Sequence, residues 1–158
     1  MRPVFKETHT TMENKFNEFK TYALVTGAAS GMGRIYALRL AERGYNIIAV
    51  DINAKGLEET EQMVKAQIEA SGEIRPEHKA AFRMLRIQQD LSVMEAADRI
   101  YETTEAEGCI VEVLVNNAGV MYCQGIAETS ERMLKLIMMV HMHPPLMLCR
   151  KYVGGMKE

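Results

Sequence analysis

The sequence contains little that would indicate a metal site, a nucleic-acid partner or a membrane surface. Its three cysteines, Cys109, Cys123 and Cys149, are an odd and widely spaced set without metal-ligand pairing, which is expected of reduced thiols. No basic cluster occurs, and the net charge is only -2. Neither nucleic acid nor an anionic membrane surface is therefore indicated as a partner.

A long apolar segment near the N-terminus is also missing. Residues 1–20 are polar, so they predict neither a signal peptide nor a membrane span, and we expect a cytoplasmic protein with an N-terminal extension over this range. The 158 residues, 47% apolar and 25% charged, suit one compact core. We therefore expect a single domain over residues 21–158.

The most informative segment is a glycine-rich turn, Thr-Gly-Ala-Ala-Ser-Gly-Met-Gly over residues 26–33. It lies between an apolar strand-like run, residues 22–25, and a helical pattern that starts near Arg34. Glycine lets a chain turn sharply after a strand, approach a pyrophosphate with its backbone and pack a helix closely on a sheet. The turn therefore predicts a phosphate cradle at a helix N-terminus. Because no Gly-Lys-Ser/Thr follows it, NTP hydrolysis is set aside.

An acidic residue follows the second predicted strand. The run over residues 45–50 predicts that strand, which ends at Asp51, about twenty residues beyond the glycines. A carboxylate at this place can accept hydrogen bonds from both hydroxyls of an adenosine ribose. The alternative role for Asp51 is that of a helix cap.

Two further motifs follow in order: Asp90-Leu91 after a third predicted strand, and an Asn-Asn-Ala-Gly turn over residues 116–119 after a fourth. Together with the glycine turn they resemble the short-chain dehydrogenase/reductase family, from about Tyr22 to the C-terminus. The resemblance implies an α/β fold of the Rossmann type, a doubly wound parallel sheet that stops here after the fourth strand and its following helix. It also implies an oxidoreductase that transfers a hydride between NAD or NADP and a small-molecule alcohol or carbonyl substrate.

The resemblance also implies which residues hold the cofactor. It assigns the glycine turn to the pyrophosphate, Asp51 to the adenosine ribose and Asp90-Leu91 to the adenine. The Asn-Asn-Ala-Gly turn of the family braces the sheet and lies beside the nicotinamide ribose. The expected cofactor-binding residues are Gly27, Ser30, Gly31, Met32, Gly33, Asp51, Ile52, Asp90, Leu91, Asn116, Asn117, Ala118 and Gly119.

The charge at Asp51 favours NAD over NADP. A carboxylate there would lie where NADP carries its extra phosphate, and two unit charges about 4 Å apart repel by on the order of 4 kcal/mol at an effective dielectric constant near 20. NADP-using members of the family often place Arg or Lys just before the second glycine, where this chain has Ser30. Arg34, after the third glycine, is expected to be a solvated helix residue.

The catalytic pair of the family, Tyr-x-x-x-Lys with an upstream Ser, is absent from the sequence. The nearest candidate is Tyr152 with Lys157, but the spacing between them is one residue longer than in the family. We therefore interpret Tyr152 as an ordinary helix residue. Family spacing puts the catalytic residues beyond a fifth strand. The chain is therefore expected to be the cofactor half of a longer enzyme and inactive alone; the alternative is a non-catalytic nucleotide-binding or oligomerisation module.

Alignment of the fourth predicted helix with the family puts His141 where an active-site Asn usually helps to hold a water for proton relay. Imidazole can also hold a water and titrates near neutral pH, but a lone helix histidine can equally pack or lie at the surface, and both roles stay open. His143, two residues on, points to another side of a helix, so the pair does not predict a metal site.

Turn and cap signals predict the remaining elements. Residues 73–79 predict a charged loop, Ser92 with Glu95 predicts a capping box that opens a third helix, and Ser130 predicts the cap of a helix that ends at the prolines. Family topology orders the strands 3-2-1-4, and the open edge of strand four predicts a homo-oligomer. Seven of the thirteen methionines follow Val120; they suit a core or a subunit interface, and we favour the core.

Overall fold

A computed structural model describes residues 21–123 and 125–157 and contains a four-stranded parallel sheet with helices on both faces. The elements in chain order are β1 (Thr21–Thr26), α1 (Gly31–Glu42), β2 (Asn46–Asp51), α2 (Ala54–Ala70), α3 (Pro76–Ala81), β3 (Met84–Gln88), α4 (Ala96–Ala106), β4 (Ile110–Val115), α5 (Glu131–His141) and α6 (His143–Tyr152). The predicted α/β fold of the Rossmann type is confirmed.

The strands lie in the order β3-β2-β1-β4, as predicted, and every neighbouring pair is parallel. Val25 of β1 lies opposite Ala49 of β2 on one side and Val115 of β4 on the other. The carboxyl ends of the strands therefore meet at one edge of the sheet. The turn that follows β1 lies against the segments that follow its two neighbours, β2 and β4.

Each face of the sheet has its own core, because successive side chains of a strand point to opposite faces. Ala23 and Val25 pack with residues of α1 and α2, whereas Leu24 packs with residues of α4 and α6. These three side chains are fully buried. Burial on both faces explains why β1 and β2 are apolar runs without alternation.

Two predictions about the connecting segments are wrong. The predicted charged loop over residues 73–79 contains the start of α3, with Pro76 and Glu77 in its first turn, where both residue types favour a helix. The predicted capping box does not form, because the N–H of Ser92 donates to Asp90 Oδ1 at 2.8 Å. The backbone makes turns there, and α4 begins only after Glu95, whose side chain makes no cap bond.

The segment after β4 forms two α-helices, α5 and α6, rather than the one expected. Ser130 caps α5 as predicted and accepts from the N–H of Met133 at 3.3 Å. The prolines follow α5 as expected, but Pro144 and Pro145 then lie in the first turn of α6, where proline is tolerated.

The methionines of this region divide between core and surface. The preference for the core is correct for Met147 and Met156, which pack against the buried cluster on the α4 side. It is wrong for Met121, Met138 and Met142, which are exposed. All three cysteines are free. In the part of the chain that the structure describes, no helix has the length and apolar character needed to cross a membrane.

Candidate functional site

A cleft of about 590 Å³ opens where the carboxyl ends of the strands meet. Its walls come from the segment after each of the four strands and from α5. In open α/β sheets, ligands bind in the crevice outside the carboxyl ends, where the strand order reverses, and here the order reverses between β1 and β4. The lining residues are Gly27, Ser30, Gly31, Met32, Asp51, Ile52, Gln89, Asp90, Leu91, Ser92, Asn117, Ala118, Gly119, Val120, Leu136 and Val140.

Eleven of the thirteen expected cofactor residues line this cleft; the other two are Gly33 and Asn116. Gly33 lies in the first turn of α1, which approaches the residue after β1 so closely that a Cβ on Gly33 would be 2.0 Å from Gly27 O. Asn116 faces α6 instead, and its Nδ2 donates to Pro145 O at 3.4 Å. The residues that line the cleft without having been expected are Gln89, Ser92, Val120, Leu136 and Val140.

Gly27 and Gly31 share a backbone conformation that favours glycine but differ in what surrounds them. Gly27 (φ 70°) and Gly31 (φ 51°) have left-handed backbone conformations, which other residues rarely adopt. A Cβ on Gly27 would also lie 2.8 Å from Asn117 Nδ2, so the two sides of the cleft touch there. A Cβ on Gly31, in contrast, would have no other atom within 4 Å. The space beside Gly31 therefore allows a ligand to approach the backbone.

The first turn of α1 presents backbone donors at this space. Ser30 precedes the helix without a side-chain cap bond, and the first turn carries no acidic residue. Over residues 21–123 and 125–157, no group accepts from the N–H of Ser30, Gly31 or Met32. These donors and the positive end of the helix dipole favour an anion.

Asp51 is fixed at the end of β2 by two backbone donors. Its Oδ2 accepts from the N–H of Ala29 at 3.0 Å, and its Oδ1 accepts from the N–H of Asn53 at 3.0 Å. The alternative role as a helix cap is wrong, because Asn53 caps α2 by accepting from the N–H of Gly56 at 3.1 Å. The charged residues that line the cleft, Asp51 and Asp90, are both acidic.

The Asn-Asn-Ala-Gly turn is tied to β1 through Thr26, whose side chain is almost fully buried. Thr26 Oγ1 accepts from the N–H of Asn117 at 3.0 Å and from the N–H of Ala118 at 3.1 Å. Asn117 Nδ2 in turn donates a hydrogen bond to Thr26 O at 3.0 Å. Thr26 was not among the expected site residues, although it stands directly before the first glycine of the turn.

His141 supports the far wall of the cleft. Its Nε2 lies 3.0 Å from the N and 2.9 Å from the O of Val120. One ring nitrogen either accepts or donates, so it serves one of these two partners at a time. The ring also lies against Gly119, where a Cβ would be 2.8 Å from His141 Cε1. These contacts agree with the packing role, and the relay role of His141 stays a prediction.

Tyr152 is buried between α6 and α4, away from the cleft. Its Oη lies 2.7 Å from Thr104 Oγ1, and its ring centroid lies 5.3 Å from that of Tyr101. Burial raises the pKa of Tyr152 to about 12, against an opposing effect of the hydrogen bond with Thr104. The interpretation of Tyr152 as a structural helix residue is confirmed.

Arg34 is not the solvated residue that we expected. Its guanidinium group donates to Ala29 O, to Thr60 Oγ1 at 2.9 Å and to Gly56 O at 3.3 Å, so it joins α1 to α2 beside the glycine turn. Spacing along α1 did not reveal this role, because the partners come from the turn and from a different helix.

The known proteins that this chain resembles in sequence are dehydrogenases and oxidoreductases. A sequence model described as short chain dehydrogenase matches residues 21–158. Retinol dehydrogenase 10 of Xenopus tropicalis is 29% identical over 147 residues, with 85% of this chain and 43% of that protein covered. An uncharacterized oxidoreductase of Thermotoga maritima is 33% identical over 135 residues, with 85% and 48% covered. The chain thus spans less than half the length of these curated relatives.

Solved structures share the fold. A metagenomic short-chain oxidoreductase in complex with NADP superposes with a TM-score of 0.73 at 24% identity, over 87% of this chain and 57% of that one. L-Sorbose reductase from Gluconobacter frateurii, complexed with NADPH and L-sorbose, has a TM-score of 0.72 at 25% identity, over 87% and 48%. Because the family model matches residues 21–158, the chain belongs to the short-chain dehydrogenase family.

Proposed function

We propose that the chain binds NAD in the cleft as the dinucleotide-binding part of an oxidoreductase that transfers a hydride between nicotinamide and an alcohol or carbonyl substrate. The proposal is carried by one observation: eleven residues expected from separate motifs line a single cleft at the carboxyl ends of the four strands. NAD supplies the site of hydride transfer when it is bound. The residues of this chain bind and orient it.

The donors and acceptors of the cleft fit the parts of a dinucleotide. The open space beside Gly31 and the free N–H groups at the start of α1 fit a pyrophosphate. Each oxygen of Asp51 receives one backbone N–H and keeps acceptor capacity for a ribose hydroxyl. Ile52 and Leu91 provide apolar surface at the same end of the cleft for a base.

Selectivity for NAD over NADP rests on Asp51. The cleft lining carries no Arg or Lys, and the cation closest in sequence to the glycine turn, Arg34, is bonded to Ala29 O and paired with Glu59 at 3.2 Å. A 2′-phosphate would therefore face a carboxylate without a cation in the cleft lining. Because several related structures contain NADP or NADPH, this preference needs a direct test.

Titration of the purified chain with NADH and with NADPH, followed by nicotinamide fluorescence, tests the proposal. We expect NADH to bind at least about 10-fold more tightly, since a repulsion above about 1.4 kcal/mol corresponds to that ratio. Asp51→Asn removes the charge and should bring the two dissociation constants closer together. Asp98→Asn, a carboxylate on α4 that pairs with Lys151, is the control and should leave the ratio unchanged. Equal affinities for the two cofactors in the unmodified chain would refute the selectivity.

A second candidate function is nucleotide binding without catalysis. It is favoured by the burial of Tyr152 against Thr104, because the tyrosine nearest to the family's pair is then unavailable to a substrate. We propose that the 158-residue chain alone binds NADH and does not oxidise alcohols. The intact mass of the natively expressed protein separates the two candidates. A longer chain that carries the catalytic Ser, Tyr and Lys supports the oxidoreductase, whereas a native NADH-binding chain of 158 residues supports the second candidate.

A further inference from the structure

We propose that Arg34 and Thr60 are positioning residues that hold the glycine turn in its anion-binding conformation. This inference rests on the proposed function, because it concerns the same cleft. Neither side chain lines the cleft. Both act from behind the turn, through the carbonyl oxygens of Ala28 and Ala29.

Thr60 bonds to the first of these carbonyls from the buried side of α2. Its side chain is fully buried, and its Oγ1 lies 2.8 Å from Ala28 O and 2.9 Å from Gly56 O. The hydroxyl has one hydrogen, so it donates to one carbonyl at a time. Its oxygen also accepts from Arg34 Nε at 2.9 Å, which links the two positioning residues.

The guanidinium group of Arg34, which donates to Thr60, also donates to the second carbonyl, that of Ala29. Its Nη2 donates to Ala29 O and to Gly56 O, and it pairs with Glu59 Oε2 at 3.2 Å. The planar guanidinium group carries several donors in a fixed arrangement, so it can bridge the turn, the first turn of α2 and Thr60 at once. A lysine at this position would have one ammonium group for the same partners.

These bonds set the direction of the backbone donors. In a trans peptide, the carbonyl oxygen and the following N–H point in opposite directions. With Ala28 O held toward Thr60, the N–H of Ala29 reaches Asp51 Oδ2 at 3.0 Å. With Ala29 O held toward Arg34, the N–H of Ser30 points away from α2. Ser30 lines the cleft, so Arg34 directs this donor toward the space where an anion would lie.

The turn and α2 are too close for solvent to take over these bonds. A Cβ on Gly56 would lie 2.7 Å from Ala29 Cβ and 2.9 Å from Ala29 O. Ala28 is fully buried and Ala29 is 2% exposed. Since buried carbonyls need partners, loss of the guanidinium group would leave Ala29 O to seek another donor by rotating its peptide.

The test compares a ligand with phosphates and one without. Arg34→Met keeps a long side chain but removes every donor. In the full chain, we expect the dissociation constant for NADH to rise about 10-fold and that for adenosine to change by less than about 2-fold, because the turn faces the pyrophosphate. Hydrogen exchange of the backbone amides over residues 28–33 should also become at least about 10-fold faster.

Matched variants control for a general loss of structure. Arg39→Met removes an exposed guanidinium group on the same helix, whose partner is Glu42 at 2.9 Å, and it should change neither measurement. Thr60→Val removes the hydroxyl and should act in the same direction as Arg34→Met. Thr60→Ser keeps the hydroxyl and should restore NADH binding to within about 2-fold of the unmodified chain.

Each outcome decides the inference. It is overturned if Arg34→Met binds NADH as the unmodified chain does with unchanged amide exchange, or if NADH and adenosine lose affinity equally. If the unmodified chain does not bind NADH, the proposed function fails. In that case, faster exchange over residues 28–33 in Arg34→Met but not in Arg39→Met still supports the positioning role, and equal exchange in the two variants overturns it.

Discussion

The two sides of the cleft differ in how their backbone is held. On the glycine-turn side, the N–H groups of Ala28 and Ala29 bond to the end of β2, while their carbonyls lie against Thr60 and Arg34. On the other side, the wall at Gly119 and Val120 is supported by the exposed ring of His141. We call the glycine-turn side the closed side, because buried groups hold it. We call the side of Gly119 and Val120 the open side, because it is supported from the surface.

This difference follows from the position of the strands in the sheet. β1 and β2 have a neighbouring strand on each side and are buried along most of their length, whereas β4 lies at an edge and is mostly half-buried. The helix after β4 is also more open: Val140 is the residue of α5 that is buried, while Leu134 and Met138 are exposed. The comparison indicates that interior strands fix the backbone of the glycine turn, whereas the edge strand leaves its part of the cleft less buried.

The largest effect should come from Gly33→Ala on the closed side. The added Cβ would lie 2.0 Å from Gly27 O, so α1 would have to move away from the turn. We expect a loss of about 3 kcal/mol in the free energy of unfolding, measured by urea denaturation. Gly72→Ala is the control, because its Cβ would meet no atom within 4 Å, and it should change stability by less than about 0.5 kcal/mol. Equal stabilities of the two variants would contradict the close packing.

The next effect tests the bond between the two sides. Thr26→Val keeps the shape of the side chain but leaves the N–H of Ala118 without its acceptor and the N–H of Asn117 with Val115 O alone. We expect a loss of about 2 kcal/mol in unfolding free energy, because the N–H of Ala118 is left unpaired and that of Asn117 loses one of its two acceptors. Thr103→Val, which removes a hydroxyl that bonds to Arg99 O within α4, should cost less than about 0.5 kcal/mol. A similar cost for both variants would show that Thr26 does not hold the sides together.

A smaller effect is expected for the contact that secures α6 beneath the open side. Tyr152→Phe removes the hydroxyl that bonds to Thr104 and should lower the unfolding free energy at neutral pH by about 1 kcal/mol. Tyr36→Phe removes a hydroxyl from a tyrosine that is 44% exposed, and it should be neutral. The prediction fails if Tyr36→Phe costs as much as Tyr152→Phe.

Tyr152 and Tyr22 should also make stability depend on alkaline pH. Burial raises the pKa of each phenol to about 12 from 10, so the folded chain binds their protons more tightly than the unfolded chain does. This contribution is fully present below pH 10 and is lost as the pH rises from 10 through 12. The slope of unfolding free energy against pH in this window should be smaller in Tyr152→Phe. An unchanged slope would rule out Tyr152 as its source.

The smallest effect should be that of His141→Asn on the open side. The amide of asparagine is shorter than the ring and does not reach Val120 as Nε2 does, but the site is exposed and solvent can take over these contacts, so we expect a change of less than about 0.5 kcal/mol in unfolding free energy. Thermal unfolding of the two proteins measures it. A loss comparable to that of Thr26→Val would mean that both sides of the cleft are equally rigid.

Sequence reasoning worked where a residue's role depends on its near neighbours along the chain. Gly27 and Gly31 have the left-handed backbone that a sharp turn needs, and Ser130 caps α5 through the N–H of Met133. It failed for Ser92, where a cap to the helix competed with a local bond to Asp90 and lost. It also missed α3, although Pro76 and Glu77 at the start of a helix were signals that could have indicated it.

The sequence by itself determined the fold class, the strand order expected for its family and eleven of the sixteen residues that line the cleft. Apolar runs, glycine turns and the acids after the strands act over a few residues, and the parallel sheet then brings the strand ends together. Only the tertiary structure decided the roles of Arg34, Thr26 and Asn116. Their partners lie on other helices or on the turns that follow other strands, and a hydrogen bond depends on distances of about 3 Å that only packing of the whole sheet sets.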